Sequence, residues 1–278
     1  METFYFGSTL SVSGITFTEL VESAIETHSA CFQFFAKNPR ISTDKIKFKG
    51  EDIDNGLKIM KKYDIKCVIH GQYTHKLMYP KSILEELEFA DKIHAIGVVL
   101  HANEKSVTDF AKVLEKTIDK MIEKGIKSKI LIENMANKSI FVKLEDFDML
   151  YQLIPKAKHK HFGICYDTCH GFINSTYDIR DTKITDYILD KYTFDCIHFN
   201  DADSKTQDKH ANIFTGLIGD DNKGGNRNAF LYFAIKAAEK KIPMVTERIE
   251  NEKTIKKSQN DGILDLIQGG KFNISDYK

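Results

Sequence analysis

The residues Phe162 to His170, Phe-Gly-Ile-Cys-Tyr-Asp-Thr-Cys-His, set a carboxylate and an imidazole just past an apolar run. Phe162 to Tyr166 reads as a short buried strand. Asp167 ends it, and His170 follows three residues later. Carboxylate oxygens and neutral imidazole nitrogens are ordinary ligands for zinc-like ions. The same stretch also reads as Asp167 capping a helix that carries His170 on its first turn. By itself it leaves both readings open.

Other apolar runs end the same way. Successive strand-like segments deliver His70, His101, Glu133, Asp167, His198 and Glu247 at their C-terminal ends. One His at a strand end is more often structural than a ligand. Six such ends in succession are hard to explain as core, because charges buried at one rim are costly unless paired or bound to metal. The set points to a polynuclear metal centre. Loops add His170, Asp208 and His210, and alternate residues of extended Asp208-Lys209-His210 point to one side, so Asp208 and His210 can share an ion. His28, His75, His94, His159 and His161 fall elsewhere, the last two just before a strand, where they read as solvated on the opposite rim. Cys165 and Cys169 flank Asp167 without the spacing of a zinc ribbon or redox motif, and read as packing residues.

The elements that must position these groups alternate. Strands are expected at Phe4–Ser11, Cys31–Ala36, Lys66–Ile69, Ala95–Leu100, Lys129–Ile132, Phe162–Tyr166, Asp195–Ile197 and Ile242–Thr246. Helices are expected at Thr18–Glu26, Asp52–Tyr63, Lys81–Lys92, Val107–Lys124, Leu144–Leu153, Thr185–Tyr192, Asn228–Lys240 and Thr254–Ile267. Strands that read as continuous apolar runs are buried on both faces. Eight strand–helix units predict an α/β fold, a closed TIM-type (β/α)8 barrel, with the site at the C-terminal ends of its strands.

The 278 residues suit one such barrel. Gly (16) and Pro (4) are sparse, and no repeat or linker interrupts the chain, so residues 1–278 are expected to form a single domain. Met1 to Thr3 lead straight into Phe4-Tyr5-Phe6 without the regions of a secretory leader. No run approaches the roughly 18 apolar residues of a membrane span. Five scattered cysteines read as reduced. An intracellular protein acting as a monomer away from membranes is expected. Formal net charge is zero, so any nucleic-acid partner must be held by local cations rather than a global field.

Order and spacing together resemble the endonuclease IV family of zinc-dependent apurinic/apyrimidinic endonucleases. The strongest segments are Gly163-Ile-Cys-Tyr-Asp-Thr-Cys-His170, His198-Phe-Asn-Asp201, and Asp208-Lys-His210 leading to Gly216-Leu-Ile-Gly219. His70-Gly-Gln-Tyr73, Leu131-Ile-Glu-Asn134 and Asn38-Pro-Arg40 match in order but less strongly. The chain departs from the family in having Lys209 where Arg is usual, no Trp after Asn38-Pro-Arg40, His101-Ala-Asn-Glu in place of a Pro-Gly turn, and Arg248-Ile249 after Glu247. These departures bear on DNA affinity and substrate preference; all nine candidate ligands remain.

The resemblance implies three zinc ions. His70, His101 and Glu133 would hold the first. Glu133 would bridge to a second, shared with Asp167, His198 and Glu247. His170, Asp208 and His210 would hold the third. It implies hydrolysis of the phosphodiester 5′ to an abasic site in duplex DNA, leaving a 3′-OH, with a 3′ phosphodiesterase or 3′–5′ exonuclease side activity. Glu133 and then Glu247 are the residues expected to orient the nucleophile. Arg40, Tyr73 and Lys209 are expected to meet DNA, Tyr73 as a wedge beside a flipped-out sugar. Lys37, Lys205, Lys223, Arg227 and Arg248 fall near the same rim and could hold phosphates. A metal-dependent sugar isomerase or epimerase on a related barrel would share the strand-end ligands but not need the third set. A protein that binds damaged DNA without cutting it has no need of intact ligands.

Overall fold

The apolar runs form the parallel strands of one barrel. The structure is a computed structural model that describes residues 4–41, 43–137, 140–174 and 177–247. In chain order the elements are β1 (Phe6–Ser8), α1 (Phe17–Glu26), β2 (Cys31–Phe34), α2 (Gly50–Tyr63), β3 (Lys66–His70), α3 (Lys81–Lys92), β4 (Gly97–Leu100) and α4 (Val107–Glu123). Then come β5 (Lys129–Glu133), α5 (Glu145–Leu153), β6 (Phe162–Asp167), α6 (Thr168–Ile173), α7 (Thr182–Lys191), β7 (Cys196–His198), β8 (Asp201–Ala202), β9 (His210–Ala211), α8 (Arg227–Glu239) and β10 (Met244–Thr246). Eight strands hydrogen-bond in the order β1-β10-β7-β6-β5-β4-β3-β2, all in parallel, and β8 and β9 pair separately as an antiparallel ribbon. A parallel bridge from Thr9 to Gln33 closes the ring between β1 and β2. There the Leu10 amide donates to the Gln33 carbonyl at 2.8 Å and the Ala30 amide to Phe6 at 2.9 Å.

Each strand buries both faces, and the alternation of side chains divides them. One face, including Phe32, Phe34, Ile69, Ile130, Ile132 and Tyr166, packs under the helices. The other fills the barrel with Cys31, Val68, Val99, Leu131, Cys165, Cys196 and Val245. This interior is narrow, so small thiols and β-branched side chains serve where aromatics would not fit. Cys165 is a packing residue, as its sequence context implied.

Local signals place the helices. Thr16 and Glu19 form a capping box at the start of α1, and Asp52 of α2 accepts from the Phe17 and Thr18 amides at 2.6 and 2.9 Å. The first expected strand, Phe4–Ser11, is regular over only Phe6–Ser8, with Thr9 and Leu10 continuing the pairing by single bonds before the chain turns towards α1. The β8–β9 ribbon and two 3-10 turns at Lys156–His161 and Asp221–Lys223 were not expected, being shorter than a hydrophobic period can reveal, whereas the short α6 is the helix that a cap at Asp167 implies. The first of these turns corrects the expectation for His159 and His161. It folds under the start of β6, burying His161 and laying His159 against Tyr151 and Phe162. The expected helix Thr254–Ile267 lies outside the described residues.

Closure of the barrel rests on a missing side chain. A Cβ on Gly7 would come 1.7 Å from the Cys31 carbonyl oxygen. Gly7→Ala should therefore force β1 from β2 and destabilise the fold by at least about 3 kcal/mol, within the range of overpacked cores. Urea denaturation followed by circular dichroism checks this.

Candidate metal centre

The register that fills the barrel also builds the site. Moving two residues on from the plug takes Cys31 to Gln33, Val68 to His70, Val99 to His101 and Leu131 to Glu133. The same step takes Cys165 to Asp167, Cys196 to His198 and Val245 to Glu247. Seven strands thus end in polar side chains that face one another at the C-terminal mouth. His70, Glu133, Asp167 and His198 are buried there.

The donor atoms fall into overlapping sets. His70, His101 and Glu133 form one; Glu133, Asp167, His198 and Glu247 form another; within each, the atoms lie within 4.8 Å of one another. Glu133 faces both. Its Oε2 is 2.9 Å from His101 Nε2 and 3.7 Å from His70 Nε2, while its Oε1 is 3.1 Å from His198 Nδ1. His198 Nδ1 is also 3.5 Å from Glu247 Oε1 and 3.8 Å from Asp167 Oδ2. Ligands at ~2.0–2.1 Å from a tetrahedral zinc stand about 3.3 Å apart, so these spacings fit an ion.

His170 and the ribbon make the third set. Asp167 caps the helix with one oxygen and faces the other donors with the other. Its Oδ1 caps α6 by accepting from the His170 amide at 2.7 Å, while Oδ2 faces the centre. Asp208 Oδ1 lies 3.2 Å from Nε2 of both His170 and His210. His210 Nε2 is 3.8 Å from Asp167 Oδ2, which joins this set to the second. Asp201, buried just after β7, accepts from the amides of Ala202, Gly216, Ile218 and Gly219, and so anchors the loop around the ribbon. Cys169 Sγ sits 4.0 Å from the Lys209 carbonyl under that ribbon.

Hydrogen bonds choose which nitrogen each imidazole offers. His70 Nδ1 meets the Gly71 carbonyl at 2.8 Å, His170 Nδ1 the Asn134 carbonyl at 2.7 Å, and His198 Nε2 the Gln33 Oε1 at 2.8 Å. Each ring donates there and turns its other nitrogen to the centre, as metal-bound histidines do. Asn134 accepts from the Asp167 amide at 2.6 Å, and Asn200 Nδ2 donates to Asp167 Oδ2 at 2.6 Å and Glu247 Oε2 at 3.1 Å. Asn134 and Asn200 stood in the motifs without a role, and Gln33 was missed. Its signal was the register: it follows Cys31 as His70 follows Val68.

His70 Nε2, Glu133 Oε2, His170 Nε2 and His210 Nε2 are buried with no hydrogen-bond partner. Burial opposes charge on Glu133, yet His198 and His101 hold its carboxyl well below the usual range. Burial also opposes imidazolium, yet Glu247 and Glu133 lift His198 to about 10, and Asp208 helps lift His210 to about 12. The carboxylates thus favour positive charge at the centre. A donor set of this kind fits bound dications.

Around the mouth, Tyr73 is 45% exposed and leans over His70 and His101, with ring centroids 5.3 Å from each. Arg40 is exposed on the loop after β2. Lys209 pairs with Asp203 across the ribbon at 2.5 Å. Lys223 donates to the Thr215 carbonyl at 2.6 Å, Arg227 lies over the Phe214 ring, and Lys205 is exposed. Lys37 is a correction. Its buried ammonium lies 2.6 Å from Glu85 and holds Ser82, so it serves the fold and cannot hold a phosphate. Arg248 lies outside the described residues. Likewise His75 is buried against Glu86 of α3, while His28 and His94 are turn residues with positive φ.

Residues 22–222 match the family model described as the xylose isomerase-like TIM barrel. The chain is 30% identical to "Probable endonuclease 4" of Nitrosopumilus maritimus over 268 residues, 87% of this chain and 92% of that protein. It is 27% identical to the protein of the same name from Symbiobacterium thermophilum, covering 73% of this chain and 81% of that one. Its fold is similar to the crystal structure of endonuclease IV from Thermus thermophilus, with TM-score 0.76, 20% identity, and coverage of 95% of this chain and 98% of that one. The chain belongs to the endonuclease IV family. From the geometry, Gln33→Leu should leave the fold intact but free the His198 ring, weakening metal binding at its donor set by about 10–100-fold. Competition against a chromogenic chelator measures it.

Proposed function

We propose that this member of the endonuclease IV family is a DNA-repair hydrolase that cuts the phosphodiester 5′ to an abasic site in duplex DNA, leaving a 3′-OH. The observation that carries this reading is the convergence of nine donors into three linked sets, with four ligand atoms buried and unpartnered. His70, His101 and Glu133 would hold one zinc ion, Glu133, Asp167, His198 and Glu247 a second, and His170, Asp208 and His210 a third. Ions held there supply Lewis acidity and water of lowered pKa at neutral pH.

The chain's own residues divide the remaining work. Glu133, with one oxygen towards each of two sets, fixes their separation and orients the reacting groups between them. Glu247 follows it in role, tethered by Asn200. No separate general base is needed. Tyr73 presents an exposed ring over the first set, where it can enter the stack beside an extruded abasic sugar. Arg40 and Lys209 bind flanking phosphates, Lys209 by exchanging its surface pair with Asp203. The same centre, offered a blocked 3′ end, would give a 3′ phosphodiesterase or exonuclease side activity. The enzyme acts as a monomer inside the cell. Among the described residues no helix is long and apolar enough to cross a membrane.

The third set separates this reading from a sugar isomerase or epimerase, whose chemistry does not require His170, Asp208 and His210. Purified protein loaded with zinc should carry about three ions per chain and nick a duplex at a single abasic analogue. Glu133→Gln keeps the shape but loses the bridging charge, and should lower turnover by about a thousandfold or more with the fold intact. One ion or none, intact abasic duplex, or near wild-type turnover in the variant overturns the reading.

Neutral overall charge puts DNA binding on a few local cations. Arg40→Ala should weaken binding to abasic duplex and reduce the slope of log affinity against log salt by about 0.9, the contribution of one phosphate. Zinc content should not change, since β2 carries no member of the three sets. Titrations at several salt concentrations give both quantities.

A further inference from the structure

The two loops assigned to DNA meet at one buried amide. Gln72 lies between Gly71 and Tyr73 on the loop after β3, and only 2% of it is exposed. Its Nε2 donates to the carbonyls of Asn38 at 2.6 Å and Ile41 at 2.5 Å, on either side of Pro39 and Arg40. Its Oε1 accepts from Ser82 Oγ at 3.0 Å, at the start of α3. The Tyr73 amide donates to the Pro39 carbonyl at 3.0 Å. Beneath them the buried Lys37 ammonium reaches Ser82 Oγ at 3.2 Å and Glu85 at 2.6 Å. The loop itself is closed by two turns, the Ile41 amide donating to the Asn38 carbonyl at 3.3 Å and the Asp44 amide to the Ile41 carbonyl at 3.1 Å. The same two carbonyls also accept from the Gln72 side chain, which ties both turns to the loop after β3.

The geometry points to Gln72 as the positioning residue that holds the Arg40 loop in register with Tyr73, so that phosphate contact and wedge approach DNA as one rigid unit. This rests on the abasic-nuclease reading. Both hydrogens and the carbonyl of the amide are used, which fixes its orientation and defines the spacing of the loops. A residue that touches no DNA would then set the affinity for DNA.

Gln72→Leu keeps the volume and deletes all three bonds. Binding of abasic duplex should weaken by about tenfold, as loss of preorganisation requires, with KM rising more than kcat falls. Zinc content should stay at the wild-type value. The decisive measurement is a mutant cycle. In an Arg40→Ala/Tyr73→Ala background, Gln72→Leu should have no further effect on affinity, because nothing is left to position. If Gln72→Leu does not fold, Ser82→Ala, which frees Gln72 Oε1, should show a smaller loss that also vanishes in that background. Wild-type binding by either single variant, or an equal loss in both backgrounds, overturns the proposal. Failure of the wild-type protein to bind or nick abasic duplex would instead overturn the nuclease reading beneath it.

Discussion

Four carboxylates and five imidazoles face one another at the mouth of this barrel, most of them shielded from water. Burying an ionised group without a partner costs several kcal/mol, and a like-charged cluster costs more. The protein lowers that cost in two ways. Imidazoles interleave with carboxylates so that nearly every acid has a ring beside it. Fixed dipoles from Asn200 and Gln33 then restrain the free directions of Asp167, Glu247 and His198. What remains unpartnered is a set of lone pairs aimed at shared points. Three dications would outweigh the four carboxylates by two charges, turning an acidic mouth into one that attracts phosphate. A neutral chain can thus bind a polyanion without a basic surface.

That cluster can exist only because the barrel supplies directions as well as positions. The two-residue step from plug to donor is the same on strand after strand, so one register sets both the packing of the interior and the chemistry above it. The narrow plug keeps the donors close. Cys31, Cys165 and Cys196 pack with Val68, Val99, Leu131 and Val245 directly beneath the donors. Gly7 lets β1 lie close against the Cys31 carbonyl at the seam. Core volume and site geometry are therefore linked, and a plug substitution would be felt at the donors before it was felt as unfolding.

Much of this was legible in the chain. Buried parallel strands write continuous apolar runs, and the abrupt change to His, Asp or Glu at their ends is visible because the contrast is chemical. Asp167 and His70 announce themselves in that way. Gln33 does not, since an uncharged amide at the end of Cys31–Phe34 looks like any polar strand end. The β8–β9 ribbon escaped because two residues carry no period. Lys37 misled for a related reason: sequence gives a cation its charge but not its partner, and Glu85 lies on another element. His161 reads as a surface residue because its neighbours are lysines, whereas the 3-10 turn tucks it inward.

The division of labour around the ring follows from the same topology. β3 to β7 and β10 end in donors, whereas β1 and β2, the seam of the barrel, end in Thr9 and Gln33, which bond to each other at 3.2 Å. Gln33 orients His198 across the barrel, so the seam supports the centre without contributing a charged ligand. With its end thus occupied, the loop after β2 is free to extend outward, and there it carries Asn38-Pro39-Arg40. The next loop starts from a donor, His70, and within three residues reaches Tyr73. The first donor set and the Arg40 loop therefore meet at β3, where the Gly71 carbonyl fixes the His70 ring and the following side chain, Gln72, holds the neighbouring loop. Any movement of that short segment would shift both the first donor set and the loop that carries Arg40, because His70 and Gln72 are separated by Gly71 alone.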